Sequence, residues 1–179
     1  MSVFSNRAGT AVEGAARYTE AVLGLLGDAD PMNVLESTAV WCEERTADLS
    51  SDQVTLPEST EKWNVVAVLQ HLADSELVWG NRLRTILAED RPQIIGMDQD
   101  LWADRLGYRH ADREEALSLF STLRRSNLRL LNRTSPGDLD RVGVHNERGE
   151  VSVRHMIRMC AGHDLLHRRQ IERIIDAVG

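Results

Sequence analysis

The sequence has few cysteines, few aromatic residues and no excess of positive charge. Its two cysteines, Cys42 and Cys160, lie far apart in the chain, so neither a disulfide framework nor a cysteine-rich zinc module is indicated. Its 21 basic and 28 acidic side chains give a formal net charge of −7. A chain of this sign lacks the summed positive field that attracts nucleic acid, so we expect no direct nucleic-acid partner.

Long apolar runs are also missing. No stretch approaches the roughly 18 uncharged apolar residues that a membrane span needs, and residues 1–10 lack the apolar core of a secretory signal. We therefore expect a cytoplasmic protein with no membrane partner. Its 179 residues, 42% hydrophobic and 27% charged, fall in the ordinary range for a globular domain.

Helical periodicity dominates what is present. Four segments place apolar residues at helical spacing, and each begins at a residue type that caps helices. They run from about Pro31, after Asp30, to Leu49; from Asn64 to Ala88; from Asp112 to Leu131; and from Ser152 to Ala177. A weaker fifth segment, rich in glycine and alanine, covers residues 10–26. The sequence thus predicts an all-α four-helix bundle over residues 28–179, preceded by an accessory helical segment, residues 1–27.

Two connections carry further predictions. Residues 50–62 are polar and contain a proline, which indicates a loop. Residues 141–153 show a short alternation of apolar residues on either side of the turn-like run Asn146-Glu147-Arg148-Gly149. This pattern predicts a small hairpin before the last helix.

The last helix carries the most informative pair of residues. His163 and His167 are four residues apart, which brings both imidazoles to one face of the helix, one turn apart. On the helical wheel that face also holds Met156 and Ile171, so both histidines face the apolar interior. Buried imidazoles must be hydrogen-bonded or ligated. From the pair alone, two interpretations stay open: core histidines bonded to a hydroxyl or carbonyl, and two ligands of one metal ion.

His71 is the best candidate for a third ligand, because it lies midway along the second helix at the edge of its apolar stripe, where a side chain faces a cavity. His110 and His145 fall in predicted loops, and we expect them to be solvated. His155 is a weaker alternative ligand. Cys160, one turn before His163, is either a fourth ligand or a small buried apolar residue.

The spacing of acidic residues excludes two kinds of metal chemistry. A zincin needs Glu directly after the first histidine of its helix, but Asp164 follows His163 here. A di-iron bundle needs two Glu-x-x-His pairs, and the single carboxylate at that spacing is Asp164, three residues before His167. A mononuclear site remains.

Four motifs follow one another along the chain: Asp30-Pro31, Lys62-Trp63-Asn64-Val65, His71-Leu72-Ala73-Asp74-Ser75-Glu76 and His163-x-x-x-His167-x-x-Gln170. Their order and spacing resemble the DinB/YfiT-like metalloprotein superfamily over roughly residues 28–178. The resemblance implies up-down-down-up connectivity of the bundle and frequent homodimers. It also implies one divalent ion, such as Zn, Ni or Fe, bound by His71, His163 and His167.

Some members of this superfamily are thiol-dependent transferases or isomerases that use bacillithiol, mycothiol or glutathione. Three neutral imidazoles leave the charge of a divalent ion uncompensated, so an open coordination position would lower the pKa of water or a thiol. The resulting hypothesis is a thiol-dependent transferase acting on a small molecule. Glu76 and Arg82 are candidate helpers that orient a water or an acidic substrate, although Glu76 also suits a structural pair with an arginine. Two alternatives are a hydrolase that needs no thiol and a non-catalytic, metal-stabilised, stress-related interaction module.

Overall fold

The computed structural model describes residues 12–179. Its α-helices are α1 (Val12–Leu26), α2 (Pro31–Thr46), α3 (Ser51–Thr55), α4 (Val65–Ala88), α5 (Gln99–Arg105), α6 (Arg113–Leu131) and α7 (Val153–Val178). Its strands are β1 (Gln93–Ile94), β2 (Val142–His145) and β3 (Gly149–Ser152), and short 3-10 segments cover Tyr108–His110 and Asp138–Asp140. None of the helices in this part of the chain is long and apolar enough to cross a bilayer.

The four long helices begin where the sequence predicts. The capping side chains are Asp30, Asn64, Asp112 and Ser152, and each accepts a backbone N–H of the following first turn at 2.7–3.1 Å. Such a cap stabilises a helix by about 1 kcal/mol, because it satisfies an N–H that has no partner within the helix.

These helices form a closed ring around an apolar interior. α2 packs against α6 and α7, and α4 packs against the same two helices. The predicted four-helix bundle is confirmed, and α1 is the additional helix, packed along α7. The backbone of α1 approaches α7 closely at Gly162, where a Cβ atom would lie 2.2 Å from the carbonyl oxygen of Val22. The division of the chain at residue 28 stays a prediction.

The ends of the helices show the up-down-down-up connectivity. Asn64, before α4, donates to the carbonyl of Arg109, shortly before α6, at 3.1 Å, so both helices start at one end of the bundle. Both then lead into strands, β1 and β2, that pair in parallel. Arg113, at the start of α6, donates to the carbonyl of Thr46, the last residue of α2, at 3.1 Å. α2 therefore runs opposite to α4 and α6, and α7 starts again from the sheet.

The sheet confirms the predicted hairpin and extends it. β2 and β3 pair in antiparallel fashion, and the turn between them ends at Gly149, whose φ of 69° favours glycine. The two-residue β1 joins the other edge of β2, giving the order β1-β2-β3. A strand this short carries no alternation, so the sequence did not predict it.

One helix boundary and one predicted loop differ from the predictions, and the connection after α4 contains elements that were not predicted. The first long helix ends at Thr46 rather than Leu49. The predicted loop 50–62 contains α3, which a reciprocal capping box between Ser50 and Gln53 starts. The connection after α4 contains α5 and a 3-10 turn, and it is anchored by the buried Tyr108, whose hydroxyl donates to Asp74 at 2.5 Å.

Candidate metal centre

Three imidazoles meet between α4 and α7. Nε2 of His163 lies 3.0 Å from Nε2 of His71 and 3.1 Å from Nε2 of His167. All three residues are at most 5% exposed. The i, i+4 spacing places His163 and His167 on the inward face of α7, and α4 packs directly against that face and presents His71.

The geometry of this histidine cluster fits a single ion. Two nitrogens bound to one metal at about 2.0–2.1 Å, with an angle between the octahedral and tetrahedral values, lie about 2.8–3.4 Å apart. Both measured distances fall within this range. Each Nε2 carries either a hydrogen or a lone pair, so three of them cannot fully satisfy one another. When Nε2 of His71 offers its lone pair, the hydrogen is on Nδ1, which is buried without a hydrogen-bond partner among residues 12–179. An ion would accept all three lone pairs, and imidazole nitrogen suits Zn, Ni and Fe alike.

Neighbouring side chains hold the rings in place. The side-chain oxygen of Gln170 lies 2.8 Å from Nδ1 of His167, so it accepts the Nδ1–H hydrogen and leaves a lone pair on Nε2. Trp63 stacks on the His167 ring at 12° between planes and lies 5.0 Å from the His71 ring centre. The cluster is therefore oriented by a hydrogen bond and by an aromatic wall.

Burial keeps the cluster uncharged. Desolvation is the largest cause that lowers the pKa of His71 and of His163 well below the ordinary value, and repulsion from neighbouring imidazoles lowers both further. Desolvation also lowers the pKa of His167 to about 4, although its bond to Gln170 acts in the opposite direction. All three rings are thus neutral at pH 7, the form that binds metal.

Glu76 lies in a different site, a buried ion-pair network behind the cluster. Its carboxylate accepts from Arg124 at 2.9 Å and from Asn127 at 2.9 Å, and Asp164 accepts from the same guanidinium at 2.6 and 2.9 Å. The thiol of Cys160 lies 3.6 Å from the Glu76 carboxylate, and burial raises its pKa well above the ordinary value. Both side chains are engaged away from the histidines, so Glu76 adopts the structural pair that the sequence left open.

Arg124, the centre of this network, is not among the site residues predicted from the sequence. A signal was present, because Phe120, Arg124, Asn127 and Leu131 lie at the spacing of one helical face, and all four are buried. Two polar side chains, one of them charged, on a face that begins and ends with apolar residues indicate buried partners.

The remaining histidines lie outside the cluster. His110 is exposed, as predicted, and His155 is half-buried. The prediction that His145 is solvated was wrong: it is 5% exposed in β2. Its Nδ1 lies 3.1 Å from the backbone nitrogen of Glu147 and its Nε2 lies 3.0 Å from Nη1 of Arg148, and the neutral ring accepts a hydrogen from one of these two donors. The polar turn around it suggested a loop, but a strand facing α4 and α7 carries this ring inward.

Two cavities reach the histidine cluster, and Gln99 lines both of them. One is a pocket between α1, α4 and α7, which Arg82 lines together with His71 and His163. The other is an open cleft of about 410 Å³ that ends at His167 and is walled by Trp63, Gln99, Gln170 and Arg173. A small molecule can therefore reach the three imidazoles without unfolding a helix.

The comparisons of this chain with known proteins agree on one family. A sequence model of the DinB superfamily matches residues 35–171. A protein of Oceanobacillus iheyensis named "Putative metal-dependent hydrolase" is 30% identical over 136 residues, 76% of this chain and 78% of its own length. A second protein of that organism with the same designation is 24% identical over 129 residues, 72% of this chain and 74% of its own.

One solved structure shares the fold. YfiT from Bacillus subtilis, described as "a probable metal-dependent hydrolase with an unusual four-helix bundle topology", superposes with a TM-score of 0.75 at 22% identity, covering 80% of this chain and 83% of its own. This likeness extends the agreement from sequence to backbone topology.

Proposed function

This chain belongs to the DinB superfamily, and on that premise we propose that it is a metal-dependent hydrolase whose divalent ion is bound by His71, His163 and His167. The convergence of three imidazole nitrogens carries the proposal, because Nε2 of His163 lies 3.0 Å from that of His71 and 3.1 Å from that of His167, and the ligand atoms of all three residues lie within 4.8 Å of one another. The names of the relatives in Oceanobacillus iheyensis support the reaction class. A bound divalent ion would supply Lewis acidity, which polarises a carbonyl or phosphoryl oxygen and lowers the pKa of water.

The chain's own residues prepare the site for that chemistry. Gln170 holds the tautomer in which His167 offers Nε2, and Trp63 shields two of the imidazole rings from water. Ser75 lies 3.4 Å from Nε2 of His71, where its hydroxyl can orient a polar group that enters from the pocket. A low-dielectric surrounding strengthens each of these interactions.

The ion-pair network fixes the spacing of the two helices that carry the ligands. Arg124 of α6 binds Glu76 of α4 and Asp164 of α7 at once, and Asp164 directly follows His163. Because all three members are at most 4% exposed, their geometry is held tightly. The network acts through the ligands, as a positioning device.

Thiol-dependent transfer, the finer hypothesis from the family resemblance, uses the same imidazoles and differs by requiring a low-molecular-weight thiol. The cytoplasmic location, the homodimer and the small-molecule partner also stay predictions, as does the alternative of a non-catalytic interaction module.

The experiment combines metal analysis with an activity test. We expect about one divalent ion per chain in the purified protein, and loss of the ion in His71→Ala and His163→Ala. The control is His110→Ala, which removes an exposed imidazole and should keep the ion.

The zinc-loaded protein is then assayed on a panel of activated esters and amides, with and without bacillithiol, mycothiol or glutathione. Turnover without thiol that disappears in His163→Ala supports the hydrolase. Turnover that requires a thiol overturns it in favour of the transferase, and a bound ion without any turnover overturns it in favour of the interaction module.

A further inference from the structure

The pocket beside the histidine cluster has an unusual charge. Its volume is about 60 Å³, which is room for a small polar group. Its walls come from α1, α4, α7, the turn between β2 and β3, and the segment of Met97 and Gln99 at the start of α5. The lining side chains that matter here are Tyr18, Trp79, Arg82 and Arg148, next to His71 and His163.

Arg82 and Arg148 bring two guanidinium groups to this one small pocket. Arg82 is 9% exposed, and the side chain of Arg148 is 16% exposed. Desolvation, followed by repulsion from Arg148, lowers the pKa of Arg82 to about 10. Two like charges that are both largely buried are costly unless an opposite charge compensates them.

Neutral groups supply most of the contacts to these two arginines. Arg82 donates to the backbone carbonyl of Ile95 at 2.6 Å and lies 5.5 Å from the centre of the Trp79 ring. Such contacts orient a guanidinium without neutralising its charge.

Arg148 is held in the same way. It lies 5.9 Å from the centre of the Tyr18 ring and 3.0 Å from His145, a ring whose pKa burial lowers to about 4, so that it is neutral at pH 7. Glu147 is 4.0 Å away, a distance at the limit of an ion pair. Within residues 12–179, Nε of Arg148 is buried and has no hydrogen-bond partner.

The buried Arg124 shows what a compensated guanidinium looks like in this protein. It binds two carboxylates, at 2.6 Å and 2.9 Å. Arg82 and Arg148 carry two positive charges, and the carboxylate of Glu147 supplies one negative charge beside them. A net charge of about +1 therefore faces the cavity. An anion that enters the pocket would compensate this remaining positive charge, just as Glu76 and Asp164 compensate Arg124 in the buried network.

We propose that Arg82 and Arg148 bind the carboxylate of an anionic substrate and so place its reacting bond at the histidine cluster. A planar guanidinium fork matches the two oxygens of a carboxylate, and two guanidinium groups face this pocket. Tyr18, outside the region matched by the superfamily, gives α1 a part in this site. The position of the reacting bond rests on the proposed function, whereas the binding of the anion does not.

The test is calorimetric titration of the full-length, zinc-supplemented protein with acetate, with acetamide as a neutral control and with inorganic phosphate. Because each arginine contributes a charge-assisted hydrogen bond, the Kd for acetate should rise about tenfold or more in Arg82→Gln and in Arg148→Gln. Arg154→Gln removes an exposed arginine at the start of α7 and should leave the Kd unchanged.

The variants also address folding. Arg148 lies in the turn between β2 and β3, so its replacement leaves every helix intact. Arg148→Lys keeps the charge but not the planar fork and should bind acetate with an intermediate Kd. Equal acetate affinity in the wild type and both glutamine variants, equal binding of acetamide, or tighter binding of phosphate than of acetate would overturn the proposal.

Metal content of the same samples separates this proposal from the proposed function. If the wild type holds no ion but acetate binding still depends on Arg82 and Arg148, the metal-dependent reaction fails and the anion site stands. If the ion is present and acetate binding is independent of both arginines, the anion site fails and the metal centre stands.

Discussion

The buried, neutral imidazole of His167 makes the stability of the metal-free protein depend on pH. In an unfolded chain a histidine takes up a proton near pH 6.5, whereas folded His167 does so only near pH 4. Between these values the unfolded state binds more protons, so stability falls as the pH falls. His167 therefore causes no loss of stability above about pH 6.5, and it lowers the free energy of unfolding progressively as the pH falls from about 6.5 to about 4.

The size of the effect follows from the same two values. A difference of about 2.5 pKa units corresponds to about 3 kcal/mol, a large part of the stability of an ordinary domain. His71 and His163, whose pKa values are lowered in the same direction, increase the loss. Protons compete with a metal for the ring nitrogen, so histidines with ordinary pKa values release a metal as the pH falls below about 6. The lowered pKa values of these three histidines should move that release to a lower pH.

Urea denaturation of chelator-treated protein at pH 7, 5.5 and 4 measures this loss directly. His167→Gln removes the titrating group, so its free energy of unfolding should depend less on pH than that of the wild type, by about 3 kcal/mol across the range. His110→Gln removes an exposed imidazole and should follow the wild type. Parallel curves for His167→Gln and the wild type would refute the reasoning.

Three further predictions concern groups around the cluster. Gln170→Ala should weaken zinc binding by about 10–100-fold in a competition titration with a chelator, and Gln170→Glu, which still accepts the Nδ1–H hydrogen, should restore it. Arg124→Met should cost about 3–5 kcal/mol in urea denaturation, because it leaves two buried carboxylates unpaired, whereas Arg125→Met on the exposed side of α6 should cost little. Gly162→Ala should push α1 away from α7 and accelerate hydrogen exchange in residues 12–26. Gly24 has open space around it, so Gly24→Ala should leave the exchange rate unchanged. An unchanged rate in Gly162→Ala would contradict the close packing of the two helices.

The helices were predictable because their signals are local. Capping residues such as Asn64 and Asp112 stand next to strongly periodic segments, and the structure places the helix starts there. α3 carried a local signal too, the Ser50 and Gln53 capping box, which a loop assignment based on polarity overlooked. β1 had no such signal, since its pairing with β2 depends on where the chain returns after α6.

The residues of the candidate site also differ in whether the sequence alone predicts their position. His163 and His167 could be placed by helical spacing, and His71 by its position at the edge of a stripe, because each faces the bundle interior. The part played by Arg148 could not be predicted, since a turn residue reaches the pocket only through the fold of the hairpin. The burial of His145 was missed for that reason as well.

Tyr18 lines the pocket beside the imidazoles, so the part of the chain that the superfamily model matches does not contain the whole pocket. The superfamily match begins at residue 35, yet one side of the pocket beside the imidazoles comes from a helix that precedes it. A change on this face of α1 would thus reshape the pocket while the three imidazoles between α4 and α7 stay in place. If the proposed anion site is correct, selectivity among chemically similar compounds can be altered at Tyr18 without a change at the histidines.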